Sequence, residues 1–533
     1  MRQWNKKWLA VLIVGLFLWS GLVLPAQAAD EAMLSEVAGL LQANYVDQVP
    51  AEVLQAPTID QMLKKLGDHY AQYYTKEEFQ REMENLNGEF TGIGVYFRPE
   101  KQGALVFGLI AGSPAAKAGI RENDYIIEAD GKSLVGLDVD KISAIIRGPI
   151  NTRLALKIKR GGQVLDLTVT REKLNIPTVK GEKIQDGTGI IVLAEFGANS
   201  GKDMGKVIKE LKDKKVNRWI LDMRENPGGF LETALDVSGY FIGPGDTVIV
   251  KERKTTEVYP GQPSEQYVEE PLIVLANENS ASAAEIVTAA LKDQQRALIL
   301  GNTTYGKGTV QQMFELSNGD QLKFTIARFY SPLDKPINGL GVTPDIKIND
   351  EQVLKAAQLI FYDIPENYAG KLVRIDTDSF SVDIDPVIAR TGGYWAAWTA
   401  LLDGSAQYPV YSGNNIDGWQ PLEQEQRANR WPLYYPGYEF NGEITYDQQK
   451  GLMLDFLDDV KPSYLNSANI NLINAASGER IPLQFSSNNG KQVAAKPQKS
   501  LTAGEYWLVV DPTYLKFNDG HKLDKGLLAR VKV

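Results

Sequence analysis

The sequence predicts a multidomain α+β protein. Three observations carry that expectation. At 533 residues the chain is long enough for about three to five domains. Apolar positions recur at three-to-four spacing near the N-terminus, and strand and helix then alternate across Pro177–Asp350. Short runs with Gly turns follow over Asn469–Val533, which is the pattern of a β-sandwich.

The elements can be justified in order. Arg2, Lys6 and Lys7 precede the uncharged run Trp8–Leu24, and Pro25-Ala-Gln-Ala28 closes it. A basic start, an apolar stretch and an Ala-x-Ala end predict a secretory signal peptide over 1–28, cleaved after Ala28. The competing reading is an uncleaved anchor, since 17 uncharged residues sit at the short end of what crosses a bilayer. Residues 29–87 read as helical. Met33, Val37, Leu40 and Leu41 share one face, as do Ile59, Met62, Leu63 and Leu66, and Thr75-Lys-Glu-Glu78 is a capping box. Residues 88–174 change to strands at Gly94–Phe97, Ala104–Ile110, Tyr125–Ala129, Leu154–Ile158 and Val164–Thr170, with an amphipathic helix at Asp138–Ile146. Residues 175–371 form the layered core. Its apolar strands Val216–Met223 and Pro271–Ala276 each run through a turn into a helix, and Ser317-Asn-Gly-Asp320 joins a hairpin. Residues 372–434, rich in Trp, Tyr and Pro, match no element pattern; residues 435–533 are the sandwich.

Composition removes several kinds of chemistry. The chain has no Cys, which excludes a cysteine nucleophile, a disulfide, a thiolate zinc site and an iron–sulfur cluster. It has two His, His69 and His521, and any histidine-based triad must use one of them. Hydrolytic chemistry here therefore calls for a different base. A net charge of -10 argues against nucleic acid as a partner.

Three turns could carry chemistry. Asn277-Glu-Asn-Ser-Ala-Ser-Ala-Ala-Glu285 joins a buried strand to a helix, where a serine can be exposed beside helix N-terminal amides. Such turns are also ordinary helix caps. Gly301-Asn-Thr-Thr-Tyr-Gly-Lys-Gly-Thr-Val-Gln311 holds Lys307 between glycines. A neutral lysine can be the base for a serine if burial lowers its pKa from about 10.4, and an amide such as Gln311 could orient it without adding charge. The turn lacks phosphate-loop spacing, because Gly308 follows Lys307. Asp222-Met-Arg-Glu-Asn-Pro-Gly-Gly229 places glycine amides after a strand, which suits an anion nest or simply a tight turn.

Together the three turns resemble the carboxyl-terminal processing proteases, the tail-specific serine–lysine peptidases. The resemblance runs from about Glu31 to Ile348. It includes Tyr45-Val-Asp47, Leu66-Gly-Asp-His-Tyr70, Gly92-Ile-Gly-Val95, Tyr330-Ser-Pro and Gly339-Leu-Gly-Val-Thr-Pro-Asp345. It implies a ClpP/crotonase-like protease core. Ser282, the second serine of its turn, would be the nucleophile, Lys307 (25 residues on) the base, and Gln311 its helper. An oxyanion hole would come from Gly228, or else Gly229, with the amide of Ala283. The departures are Ala284, where many members have Ser, and Gly67-Asp-His, where Asp-Pro is usual.

The resemblance also makes residues 88–174 a PDZ domain. Gly92, Ile93, Gly94 and Val95 would form its carboxylate-binding loop, and the helix carrying Ile142 would flank an apolar peptide groove. Arg147 is a candidate charge between that groove and the cleft, against the plainer reading of a solvated helix-end arginine. Residues 435–533 resemble a bacterial Ig-like domain, with Leu501-Thr-Ala-Gly-Glu-Tyr-Trp-Leu-Val-Val510 near its penultimate strand.

The expected protein is thus an exported serine endopeptidase of the cell envelope or the extracellular space, membrane-anchored if its signal is uncleaved. It would bind C-terminal tails of protein or peptide substrates, with its cleft gated by the tail or by an activating envelope partner. A homodimer through the N-terminal helices is implied, and neither cofactor nor metal is expected. The alternative is a catalytically silent PDZ adaptor for protein tails, against which the intact Ser282–Lys307–Gln311 spacing argues.

Overall fold

The computed structural model describes residues 26–86, 89–110, 112–175, 177–185, 187–487, 491–513 and 515–533. Most of the expected signal peptide lies outside these residues, while the first described helix, Ala26–Asn44, runs across the expected cleavage point. No helix among the described residues is long and apolar enough to cross a membrane. The chain divides into two compact units. One comprises residues 1–80 and 311–327, the other residues 81–310 and 328–533.

In the first unit, helices Ala26–Asn44, Ala51–Leu54 and Ile59–Leu66 pack on the tip of a hairpin. Val37 and Leu41, the apolar stripe of the first helix, are fully buried with Met62, Leu316, Leu322 and Phe324. Phe314 stacks on Phe324 with ring centroids 4.7 Å apart. Strand Gln72–Tyr74 interrupts the helices and pairs antiparallel with the hairpin, Gln72 opposite Lys323. The expected capping box forms: Glu78 accepts from Thr75 N–H at 2.9 Å, and Thr75 Oγ1 accepts from Glu78 N–H at 3.3 Å.

The second unit begins with the small β domain. Its strands Val95–Glu100, Gly103–Leu109, Tyr125–Ala129, Arg153–Arg160 and Gln163–Thr170 form one antiparallel sheet in that order. Asp138 caps helix Val139–Ile146 through Lys141 N–H at 2.9 Å, and the helix packs beside the edge strand Val95–Glu100. A second pairing, Glu89–Gly92 with Glu172–Asn175, joins the two ends of the domain.

The core sheet has six strands: Val179–Gln185, Thr188–Leu193, Arg218–Asp222, Leu272–Ala276, Leu298–Gly301 and Ile346–Lys347. The first pair is antiparallel and all others are parallel. Leu272–Ala276 is buried throughout, as a central parallel strand must be. Helix Ala283–Asp293 is buried from Ala283 to Leu291. That explains its lack of a polar face.

Residues 372–434 form a further layer. Strands Ser381–Ile384, Leu372–Asp376, Val410–Asn414 and Gly418–Pro421 make a sheet in that order, accompanied by helix Trp395–Gly404. One apolar cluster runs from Ile273 and Leu300 of the core sheet through Trp398 and Tyr434 of this layer to Trp507 and Leu528 of the C-terminal sheets. Those sheets, of five and three strands, enclose a second cluster around Leu472, Val493, Leu508 and Val531.

Candidate active site

Parallel strands bring the three turns together. Arg218–Asp222, Leu272–Ala276 and Leu298–Gly301 are neighbours in register, so the turns after them emerge side by side at the carboxyl end of the sheet. Backbone hydrogen bonds stitch the turns to one another. Ala281 N–H donates to Asn226 O at 2.9 Å, Asn302 N–H to Ala276 O at 2.9 Å, and Tyr305 N–H to Ser280 O at 3.0 Å.

The two serines of the middle turn have different surroundings. Ser280 is fully buried. Its hydroxyl donates to Met223 O at 2.8 Å and accepts from Asn277 N–H at 2.9 Å, so its bonding capacity is spent on holding two turns together. Ser282 is partly exposed. It stands immediately before helix Ala283–Asp293 at φ 54° and ψ −114°, far from the extended geometry of an ordinary N-cap. Such a conformation costs about 1–3 kcal/mol in a non-glycine residue and persists only where the surroundings impose it.

Those surroundings centre on Glu285, a buried carboxylate absent from the candidates read in the sequence. Oε2 accepts Ser282 N–H at 2.9 Å and Lys307 N–H at 2.7 Å. Oε1 accepts Gly306 N–H at 2.6 Å and the Thr304 hydroxyl at 2.5 Å. Burial pushes this carboxyl above its ordinary range, opposed by the four hydrogen bonds. Lys307 is half-buried between two glycines whose lack of side chains is required. A Cβ on Gly308 would lie 2.3 Å from Asn338 N, and Gly306 has φ +91° while its carbonyl accepts from Gly339 N–H at 2.8 Å.

The third turn presses against the serine turn. A Cβ on Gly228 would come 2.7 Å from Ser282 Cβ and 2.9 Å from Ala283 N. Gly228 N–H donates to Asn226 Oδ1 at 2.9 Å, whereas Gly229 N–H has no hydrogen bond among the described residues. Ala283 is the first residue of its helix, where an amide has no intrahelical acceptor. Asn277 ties this edge together. Its Oδ1 accepts Glu225 N–H at 3.1 Å, and its Nδ2 donates to Glu225 at 2.7 Å and to Asp350 at 2.9 Å. The amides of Asn279 and Asn277 hold the Glu225 carboxyl below its usual range.

Gln311 belongs to the other compact unit, where its Nε2 donates to Thr325 Oγ1 at 3.2 Å. His69 is exposed in that same unit. His521 lies in the connection between the last two strands, Glu505–Val510 and Leu527–Lys532, its Nδ1 2.5 Å from Asp519 Oδ1.

In the small β domain, Gly94 has φ +79° and its carbonyl accepts from Ile110 N–H at 3.0 Å. Val95 opens the edge strand, while Gly92 pairs with Glu172 instead. The side chains of Ile93 and Ile142 are buried in the domain's own core. The helix stripe faces inward because the sheet needs that cover. Arg147 is exposed at the helix end. The buried cation there is Arg171, whose guanidinium donates to Ile146 O at 2.8 Å, Ile145 O at 3.2 Å and Thr152 Oγ1 at 3.0 Å.

Comparison with known proteins identifies the family. Residues 187–348 match the family model of peptidase family S41, and residues 108–160 match that of the PDZ domain. The probable CtpA-like serine protease of Staphylococcus saprophyticus subsp. saprophyticus is 33% identical over 341 residues, covering 63% of this chain and 69% of that protein. That of Staphylococcus aureus is 35% identical over 329 residues, covering 60% of this chain and 66% of that protein. The photosystem II D1 C-terminal processing protease aligns structurally over 61% of this chain and 94% of its own, at 25% identity and a TM-score of 0.41. The chain therefore belongs to peptidase family S41, as a CtpA-like serine-type peptidase that carries a PDZ domain.

Proposed function

We propose that the chain is a processing endopeptidase that binds protein C-termini through its PDZ domain and cleaves upstream of them with a serine–lysine pair. Ser282 attacks the peptide carbonyl. Lys307 takes the hydroxyl proton and returns it to the leaving amine. Gln311 is the helper that the family resemblance assigns. Amides of Ala283 and of the Gly228-Gly229 turn hold the oxyanion. Of the two glycines the amide of Gly229 is the better candidate, because that of Gly228 is engaged by Asn226. A tail would add as a strand to the open edge of Val95–Glu100, beside helix Val139–Ile146. Export to the envelope, gating by a tail or partner, and homodimerisation complete the reading.

One observation carries it. Of the two serines in the turn, Ser280 is buried with its hydroxyl engaged, and Ser282 stands partly exposed in a strained backbone against Gly228 and Ala283. The test is cleavage of an unfolded protein substrate with an apolar C-terminal tail. Ser282→Ala and Lys307→Ala are each expected to lower kcat by about 10³-fold or more with little change in KM. Wild-type turnover in either variant would refute the assignment.

A further inference from the structure

A glutamate three residues after a helix N-cap normally reaches back to that cap alone. Glu285 does this through Ser282 N–H and then goes further. The same Oε2 also accepts Lys307 N–H, so the amides of the two reacting residues converge on one oxygen atom. Oε1 completes the set with Gly306 N–H and the Thr304 hydroxyl. Thr304 Oγ1 in turn accepts Val342 N–H at 2.7 Å, which brings in the Asn338–Val342 loop that packs on the lysine turn. All four partners of the carboxylate are donors, and only an acceptor-only group satisfies them at once. Glu285 is fully buried, so no water can replace a missing acceptor without a change in packing.

We propose that Glu285 is a positioning residue for the peptidase reaction. Its carboxylate sets the separation and mutual orientation of the serine turn and the lysine turn. It touches neither substrate nor the transferred proton. This rests on the serine–lysine reading above. Displacing reacting groups by about 1 Å can cost about 100-fold in rate, and a carboxylate shared by both turns is what prevents such a displacement. Glutamine at this position keeps one oxygen but aims an NH₂ group at amide donors.

The experiment measures kcat and KM of the full-length protein on a tailed, unfolded protein substrate, with circular dichroism to verify folding. Glu285→Gln should lower kcat by about 100-fold and Glu285→Ala by more. Thr304→Val, which removes one of four contacts and keeps the carboxylate, should lower kcat by about 10-fold. KM should stay within about threefold of wild type in all three. Folded Glu285→Gln or Thr304→Val with wild-type kcat, or with the loss carried by KM, overturns the proposal. If Glu285→Gln fails to fold, Thr304→Val decides alone. Ser282→Ala and Lys307→Ala run in parallel. Activity surviving in them refutes the dyad, whereas their inactivity beside a fully active Glu285→Gln refutes only the clamp.

Discussion

At the scale of the residue, Ser280 and Ser282 show how one side chain type takes opposite roles two positions apart. Ser280 bridges Met223 O and Asn277 N–H inside the protein. Its replacement by alanine leaves Asn277 N–H buried without its acceptor and leaves Met223 O only the longer bond from Asn226 N–H at 3.3 Å, which costs about 1–3 kcal/mol. Ser280→Ala should therefore lose about 2 kcal/mol in denaturant unfolding and keep turnover at an unchanged KM. Abolished turnover with full stability would instead give Ser280 the chemical role proposed for Ser282. Sequence alone shows two serines in one turn and cannot rank them, because burial decides. Glu285 is illegible for a related reason. The Ser282-Ala-Ala-Glu285 spacing shows at most a capping box; the carboxylate's other partners are backbone amides and a hydroxyl some twenty residues further on, and those donors leave no signature in a side-chain pattern.

At the scale of the element, apolar periodicity locates strands and helices well and their exposed faces poorly. Strand Tyr125–Ala129 is where the pattern puts it, and Asp138 is the cap of the expected helix. The stripe of that helix reads the same whether it lines a groove or a core; with Ile142 fully buried, it lines the core. Arg171 escapes a sequence reading because a buried arginine looks like any strand-end cation. Its guanidinium supplies donors to the Ile145 and Ile146 carbonyls, which helix geometry leaves without partners. Arg171→Ala strips those carbonyls of a charged donor inside the protein, worth about 1.5–3 kcal/mol for such a bond. Hydrogen–deuterium exchange of the full chain should then show faster exchange in 139–148, with the strands of the core sheet unchanged. Equal protection in variant and wild type would mean that the helix end is held by other contacts.

At the scale of the molecule, the C-terminal sheets of the second unit are packed as part of its core. Residues 372–434 resist assignment from sequence because their helices and strands are short, several of only four or five residues, too few to display a period. In the structure they supply an aromatic layer. Trp395 and Tyr434 lie 4.3 Å apart by ring centroid, and Trp507 of the C-terminal sheet packs 5.9 Å from the first and 5.3 Å from the second. Trp507 is 2% exposed and belongs to the cluster that also holds Ile273, Leu300 and Ile346 of the core sheet. A domain joined by a polar interface would unfold independently of its neighbour; a domain sharing one apolar cluster should unfold with it. Removing a buried Trp side chain costs about 3–5 kcal/mol. Here the loss falls at the junction, while the second cluster, around Leu472 and Val493, is left intact. Trp507→Ala should therefore separate the shared transition in scanning calorimetry into two, the C-terminal sheets retaining their own. A single transition at the wild-type temperature would show that the aromatic layer does not couple them.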